Sequence, residues 1–149
     1  MFNKILLCYD GTRESRAALK QGAELAATCQ AEVHLLAVVQ ANAAAVVGEA
    51  ISAEIPVRER TQRAEEILRE GVERLHVRGI RAEGHMATGE PVEEISRIAR
   101  ELHTDLIVLG HKTRSAFARW WRGSIGVSLL DAAHCSILIC LEDPSEGSP

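Results

Sequence analysis

The 149-residue sequence predicts an α/β fold: a doubly wound five-stranded parallel sheet with helices on both faces. Two observations lead there. Five short apolar runs alternate with segments of helical periodicity, and a strand-helix-strand repeat builds a parallel sheet covered on both faces. Right-handed crossovers then restrict the topology to a doubly wound arrangement. Length and composition agree: 149 residues suit one domain with its own core, and 46% hydrophobic with 26% charged residues is ordinary for a globular chain.

The elements follow in order. Lys4–Tyr9 is the first strand. The first helix spans Glu14–Thr28, where Ala18, Gly22, Leu25 and Ala26 share a face. Val33–Val39 is the second strand, and the Ala-rich insert Gln40–Pro56 after it is either a mobile lid over a bound base or a loop or short helix with no ligand role. In the second helix, Thr61–Val77, residues Ala64, Ile67, Leu68, Val72 and Leu75 recur at helical spacing. Its outer face carries Glu59/Arg63, Glu65/Arg69 and Glu70/Arg74 as i,i+4 pairs, the pattern of a solvated face. Ile80–Met86 is a weaker third strand. Pro91 opens the third helix, a position where its missing N–H costs nothing, and Val92, Ile95, Ile98, Ala99 and Leu102 face inward. Leu106–Leu109, Gly123–Ala133 and Ile137–Leu141 complete the series as strand, helix and strand. The domain is read over 1–142, and the polar tail at 143–149 is expected to be disordered.

Ligands of doubly wound sheets bind beyond the carboxyl ends of the strands, where the strand order switches. That rule marks Asp10-Gly11-Thr12, Val38-Val39 and the segment from Gly110 onward. In this last segment DLIVLG is followed by HKTRSAFARWWR and GSIG, so Gly123-Ser124 opens the helix that continues from Ile125. A helix N-terminus presents unpaired N–H groups and a positive dipole end, and glycine lets a phosphate approach the backbone closely. Lys112, Arg114, Arg119 and Arg122 add positive charge. Trp120-Trp121 either stack on a base or pack the loop.

The net charge of −4 argues against general nucleic-acid binding. No apolar run approaches the roughly 20 residues of a membrane span, and the N-terminus reads as a strand rather than a signal peptide. None of the four cysteines forms a CxxC pair, and Cys8 and Cys140 sit in apolar runs, so reduced thiols in a cytoplasmic protein are expected. His111, Asp10 and Ser124 form no convincing catalytic constellation. His134-Cys135 lacks a second cysteine at metal-ligand spacing, and no metal site is read from the chain.

The segments KILLCYDGT, TGEPVEEISRIARELHTDLIVLG and HCSILIC, with the spacing from Gly110 to Gly123-Ser124, resemble the universal stress protein family from Lys4 to Leu141. The resemblance implies an adenine-nucleotide alpha-hydrolase-like, Rossmann-like fold. Nucleotide-binding members carry Gly, two residues, Gly, nine residues and Gly-Ser/Thr; Gly110 and Gly123-Ser124 match, and Thr113 stands at the middle glycine. At φ > 0 a β-branched residue there would cost roughly 1–2 kcal/mol. Gly126 replaces a hydroxyl residue that often follows in binding members, while Lys112 and Arg114 offer compensating charge. Asp10 matches an acid near the ribose and phosphates, with capping of the first helix as its other reading. Val38 matches a residue whose backbone contacts adenine, and Thr88-Gly89-Glu90-Pro91 matches a structural turn.

The resemblance therefore implies a cytosolic stress-response protein that binds ATP or another adenine nucleotide through Asp10, Gly11, Thr12, Val38, Gly110, Lys112, Thr113, Arg114, Gly123, Ser124 and Ile125. An interaction module without nucleotide and a slow nucleotide hydrolase are the alternatives. The fifth strand is placed at a sheet edge and carries neither proline nor lysine at 136–141. Antiparallel pairing of Ser136–Leu141 with its copy about a two-fold axis would make a homodimer.

Overall fold

Five parallel strands run in the order β3-β2-β1-β4-β5 in a computed structural model that describes residues 1–40, 56–111 and 129–141. In chain order the elements are β1 (Lys4–Cys8), α1 (Arg13–Cys29), β2 (Glu32–Val39), α2 (Val57–Val77), β3 (Ala82–Thr88), α3 (Pro91–Leu102), β4 (Leu106–His111), α4 (Leu129–Ala132) and β5 (Ser136–Leu141). The chain winds outward from β1 to β3, crosses back, and continues from β4 to β5. With right-handed crossovers, that reversal sends the helices to opposite faces.

The core divides accordingly. On one face Ile5, Leu7, Val33, Leu35, Leu106 and Val108 pack against Ala18, Leu19 and Ala23 of α1 and Leu75 of α2. On the other, Leu6, Leu36, Ile107 and Leu109 meet Val92, Ile95, Ile98 and Ala99 of α3 and Leu129 of α4. Ile5, Leu6, Ile107 and Val108 are fully buried, as a central strand covered on both sides requires. Each such side chain contributes about 1.5–3 kcal/mol of burial. α1 lies close on the sheet because Gly22 leaves room: a Cβ there would stand 2.4 Å from Leu7 Cδ2.

Several boundaries differ from those read in the sequence. The third strand begins at Ala82 rather than Ile80, because Ile80 is spent on closing α2. Its N–H donates to Leu75 O and that of Gly79 to His76 O, with Gly79 at φ +83, a left-handed helix stop that only glycine adopts without strain. α2 starts at Val57, four residues before Thr61. β4 continues through Gly110 to His111, past the expected end at Leu109. Of the expected helix Gly123–Ala133, residues 123–128 lie outside the described residues, and Leu129–Ala132 is helical. α1 and α3 end without glycine, on Gln30 at φ 55 and His103 at φ 57.

Glu70 also departs from expectation. Its Oε1 accepts from Arg74 Nε at 2.9 Å, as the i,i+4 spacing anticipated, but also from Tyr9 Oη at 2.6 Å and Arg16 Nη2 at 3.2 Å. One carboxylate thus ties the end of β1, α1 and α2 together.

Candidate functional site

The residues after β1 lie at the carboxyl end of the sheet. Tyr9 N–H still donates to Leu36 O at 2.9 Å, so the β1–β2 ladder holds up to the first loop residue. Gly11 then turns the chain at φ +80, a conformation that favours glycine. Thr12 caps α1: its Oγ1 accepts from Ser15 N–H at 3.3 Å and donates to Asp10 Oδ1 at 2.5 Å. Asp10 Oδ1 also accepts from Thr12 N–H at 3.0 Å. Asp10 is therefore not the cap; it positions the cap while remaining exposed at the positive end of α1.

Gly110 sits opposite, near the end of β4. A Cβ there would lie 2.0 Å from the carbonyl oxygen of Glu14 and 2.9 Å from Ser15 N. The first turn of α1 rests on the backbone of β4, and only glycine admits it. Both Glu14 and Ser15 are buried in consequence. Gly110, the first glycine of the nucleotide-binding spacing, thus has a packing role against the backbone of α1.

Val38, half-buried, lines a narrow cleft with Cys8, Asp10, Leu36, Pro91 and Ile95 between the strand ends and the start of α3. Burial, with the negative charge of Asp10 adding to it, pushes the Cys8 thiol up to about 12. Cys8 is thus neutral at ordinary pH and offers no thiolate nucleophile. The Thr88–Pro91 turn beside the cleft is built by Gly89, whose N–H donates to Val39 O at 2.9 Å, and by Pro91 at the first position of α3.

Of the residues read as a nucleotide site, Asp10, Gly11, Thr12, Val38 and Gly110 gather at the carboxyl ends of the three central strands β1, β2 and β4. Lys112, Thr113, Arg114, Gly123, Ser124 and Ile125 lie outside the described residues, as do Gly126, Trp120-Trp121, residues 41–55 of the insert and the tail from 142. Tyr9 and Glu70, which are hydrogen-bonded beside this loop, were not read as site residues; Glu70 was read only as a partner of Arg74 on a solvated face. A tyrosine next to Asp10 was the one local hint.

Strand order and helix placement, with a cleft at the carboxyl ends of β1 and β2, make this a doubly wound α/β protein with the adenine nucleotide alpha-hydrolase-like fold. The universal stress protein family model matches residues 1–140. Universal stress protein YxiE of Bacillus subtilis is 31% identical over 148 residues, covering 93% of this chain and 99% of its own. The chain belongs to the universal stress protein family. Among solved structures, a universal stress protein in complex with cAMP aligns at a TM-score of 0.71 with 22% identity, covering 95% of this chain and 99% of its own. A family protein from Arabidopsis thaliana with AMP bound aligns at 0.68 with 16% identity, covering 98% of this chain and 95% of its own. At these identities the likeness is one of fold. No helix among the described residues is long and apolar enough to cross a membrane.

Proposed function

We propose that this chain is a cytoplasmic, dimeric regulatory protein that binds an adenine nucleotide, ATP foremost, at the carboxyl ends of β1, β2 and β4. The observation that carries the reading is the convergence of Asp10-Gly11-Thr12, Val38 and Gly110 on the switch point of a sheet whose structural relatives hold cAMP and AMP. Asp10 faces the ribose, the Val38 backbone the adenine, and Gly123-Ser124 with Lys112 and Arg114 the phosphates. Calorimetric titration of ATP, AMP and cAMP into wild type and Gly123→Val tests it. Saturable binding that the valine abolishes supports the site. Equal affinity in both proteins moves the site elsewhere, and no binding at millimolar nucleotide rejects it.

A second reading, a dimeric interaction module without nucleotide, is favoured by one observation. The glycine at 110 and the Asp10–Thr12 pair each have a structural use within the fold itself. The same titration decides between the two.

The dimer is proposed through β5. It is an edge strand, and Ile139, Leu141 and Leu130 of neighbouring α4 are exposed. Pairing two such edges would cover that apolar surface and satisfy the outer backbone groups.

A further inference from the structure

His34 is the third residue of β2 and is almost fully buried at 2% exposure, in a strand whose neighbouring positions are valine and leucine. Its register partner on β3 is Glu83, and His85 pairs with Leu36 one step further along the same face. Glu32 precedes His34 by two residues and shares that face. Four ligand-type side chains thus meet near the amino end of the β2–β3 pair, the end of the sheet opposite the proposed nucleotide site.

The distances are those of a ligand set. His34 Nδ1 stands 2.8 Å from His85 Nε2 and 3.7 Å from Glu83 Oε2, and the three donor atoms all lie within 4.8 Å of one another. Donors held about 2.0–2.2 Å from a tetrahedral ion are about 3.4 Å apart, and the two His34 separations bracket that value. Glu32 completes the arrangement. Its Oε1 lies 2.7 Å from His34 Nε2 and, as a carboxylate, can only accept. The proton of His34 therefore sits on Nε2, and Nδ1 turns its lone pair toward His85 and Glu83. A carboxylate behind a histidine is the outer-shell partner that fixes the ring of a metal ligand and raises its basicity.

We infer that His34 Nδ1, His85 Nε2 and Glu83 Oε2 form a site for a divalent transition ion of the Zn2+ class, with Glu32 as its outer-shell carboxylate. Two imidazoles and one carboxylate suit borderline ions such as Zn2+ and leave a fourth position for water. Glu83 is exposed and His85 half-buried, so the ion enters from the solvent side of edge strand β3. On ligation His85 shifts its proton from Nε2 to Nδ1, and the histidine–histidine hydrogen bond is replaced by the shared ion.

The test is calorimetric titration of ZnCl2 into the full chain in a non-chelating buffer, on wild type, His85→Ala, Glu83→Gln and Glu32→Gln. The site predicts one Zn2+ per chain, an affinity loss of at least about tenfold in His85→Ala and in Glu83→Gln, and about 10–100-fold in Glu32→Gln. Glu83 and Glu32 are solvent-exposed, so those variants keep their fold. In parallel, the imidazole resonances of His34 and His85 in wild type should shift on Zn2+ addition, a readout that needs no variant. No stoichiometric binding, or binding that His85→Ala leaves intact with unshifted resonances, overturns the site. An intact affinity in Glu83→Gln overturns the carboxylate ligand.

Discussion

Gly110 is held to glycine by the backbone of α1. A methyl group at 110 would stand 2.0 Å from Glu14 O, a contact that only movement of β4 or of the first helical turn relieves. Gly110→Ala should therefore destabilise by about 1–3 kcal/mol, as overpacking does, with or without nucleotide. A chemical-denaturation midpoint unchanged by the alanine would disprove that packing role. Thr12→Ala removes the side-chain cap of α1 and should cost about 1 kcal/mol. The thiols behave differently from one another. Burial pushes Cys140 up to about 11 and, with Asp10, Cys8 up to about 12, against an ordinary 9.0. A raised folded value means stability that is complete below pH 9 and falls away as pH rises toward 11–12. Melting temperatures should hold through neutral pH and drop above pH 9, and at pH 8 a thiol reagent should label half-buried Cys29 and Cys135 before Cys8 and Cys140. Labelling of Cys8 in the folded protein at the rate of Cys29 would contradict its burial.

The two edge strands differ in chemistry. β3 is largely exposed and carries Glu83 and His85, whereas β5 reads SILICL, with Ile139 and Leu141 showing to solvent. A charged edge resists pairing with another chain and an apolar one invites it, so the proposed dimer is assigned to β5. Ile139→Pro removes a ladder donor on that strand, and in light scattering it should convert a dimer into a monomer. A monomeric wild type at tens of micromolar, or a folded dimeric proline variant, rejects β5 as the interface. At the opposite end of the element hierarchy, Glu70 clasps α1 and α2 to the end of β1 through Tyr9, Arg16 and Arg74. Tyr9→Phe should cost about 1 kcal/mol, since one hydrogen bond to a partly exposed carboxylate is lost. No change in a urea melt would mean that the two arginines hold the clasp alone.

Across the whole molecule, a ligand that binds only the folded chain adds stability by mass action. Nucleotide at a hundred times its dissociation constant adds about 2.7 kcal/mol, a rise of roughly 5–10 °C in melting temperature for a chain of this size. If position 113 requires φ > 0, Thr113→Gly should enlarge the rise by tightening binding about five- to thirty-fold. An unchanged melting temperature at saturating ATP would support the interaction-module reading. Zn2+ should raise the melting temperature independently of ATP, since the two proposed sites lie at opposite ends of the sheet.

The sequence by itself determined the alternation of strands and helices, the doubly wound parallel sheet, the start of α3 at Pro91 and the edge position of β5. The alternation and the start of α3 rest on period and turn chemistry, which are local, the winding on the handedness of crossovers, and the edge position of β5 on the resemblance to family members. Asp10, Gly11, Thr12, Val38 and Gly110 were legible as a set because strand ends of a parallel sheet converge. Only the tertiary structure decided that Thr12 rather than Asp10 caps α1, that Gly110 yields space to Glu14, and that Ile80 closes a helix instead of opening a strand. It alone set Val33 against Ala82, and that register brings His34, Glu83 and His85 together across 51 residues of chain. A shift of one residue would have turned Glu83 and His85 to the other face. Register is fixed by packing between elements distant in sequence, and no local pattern records it.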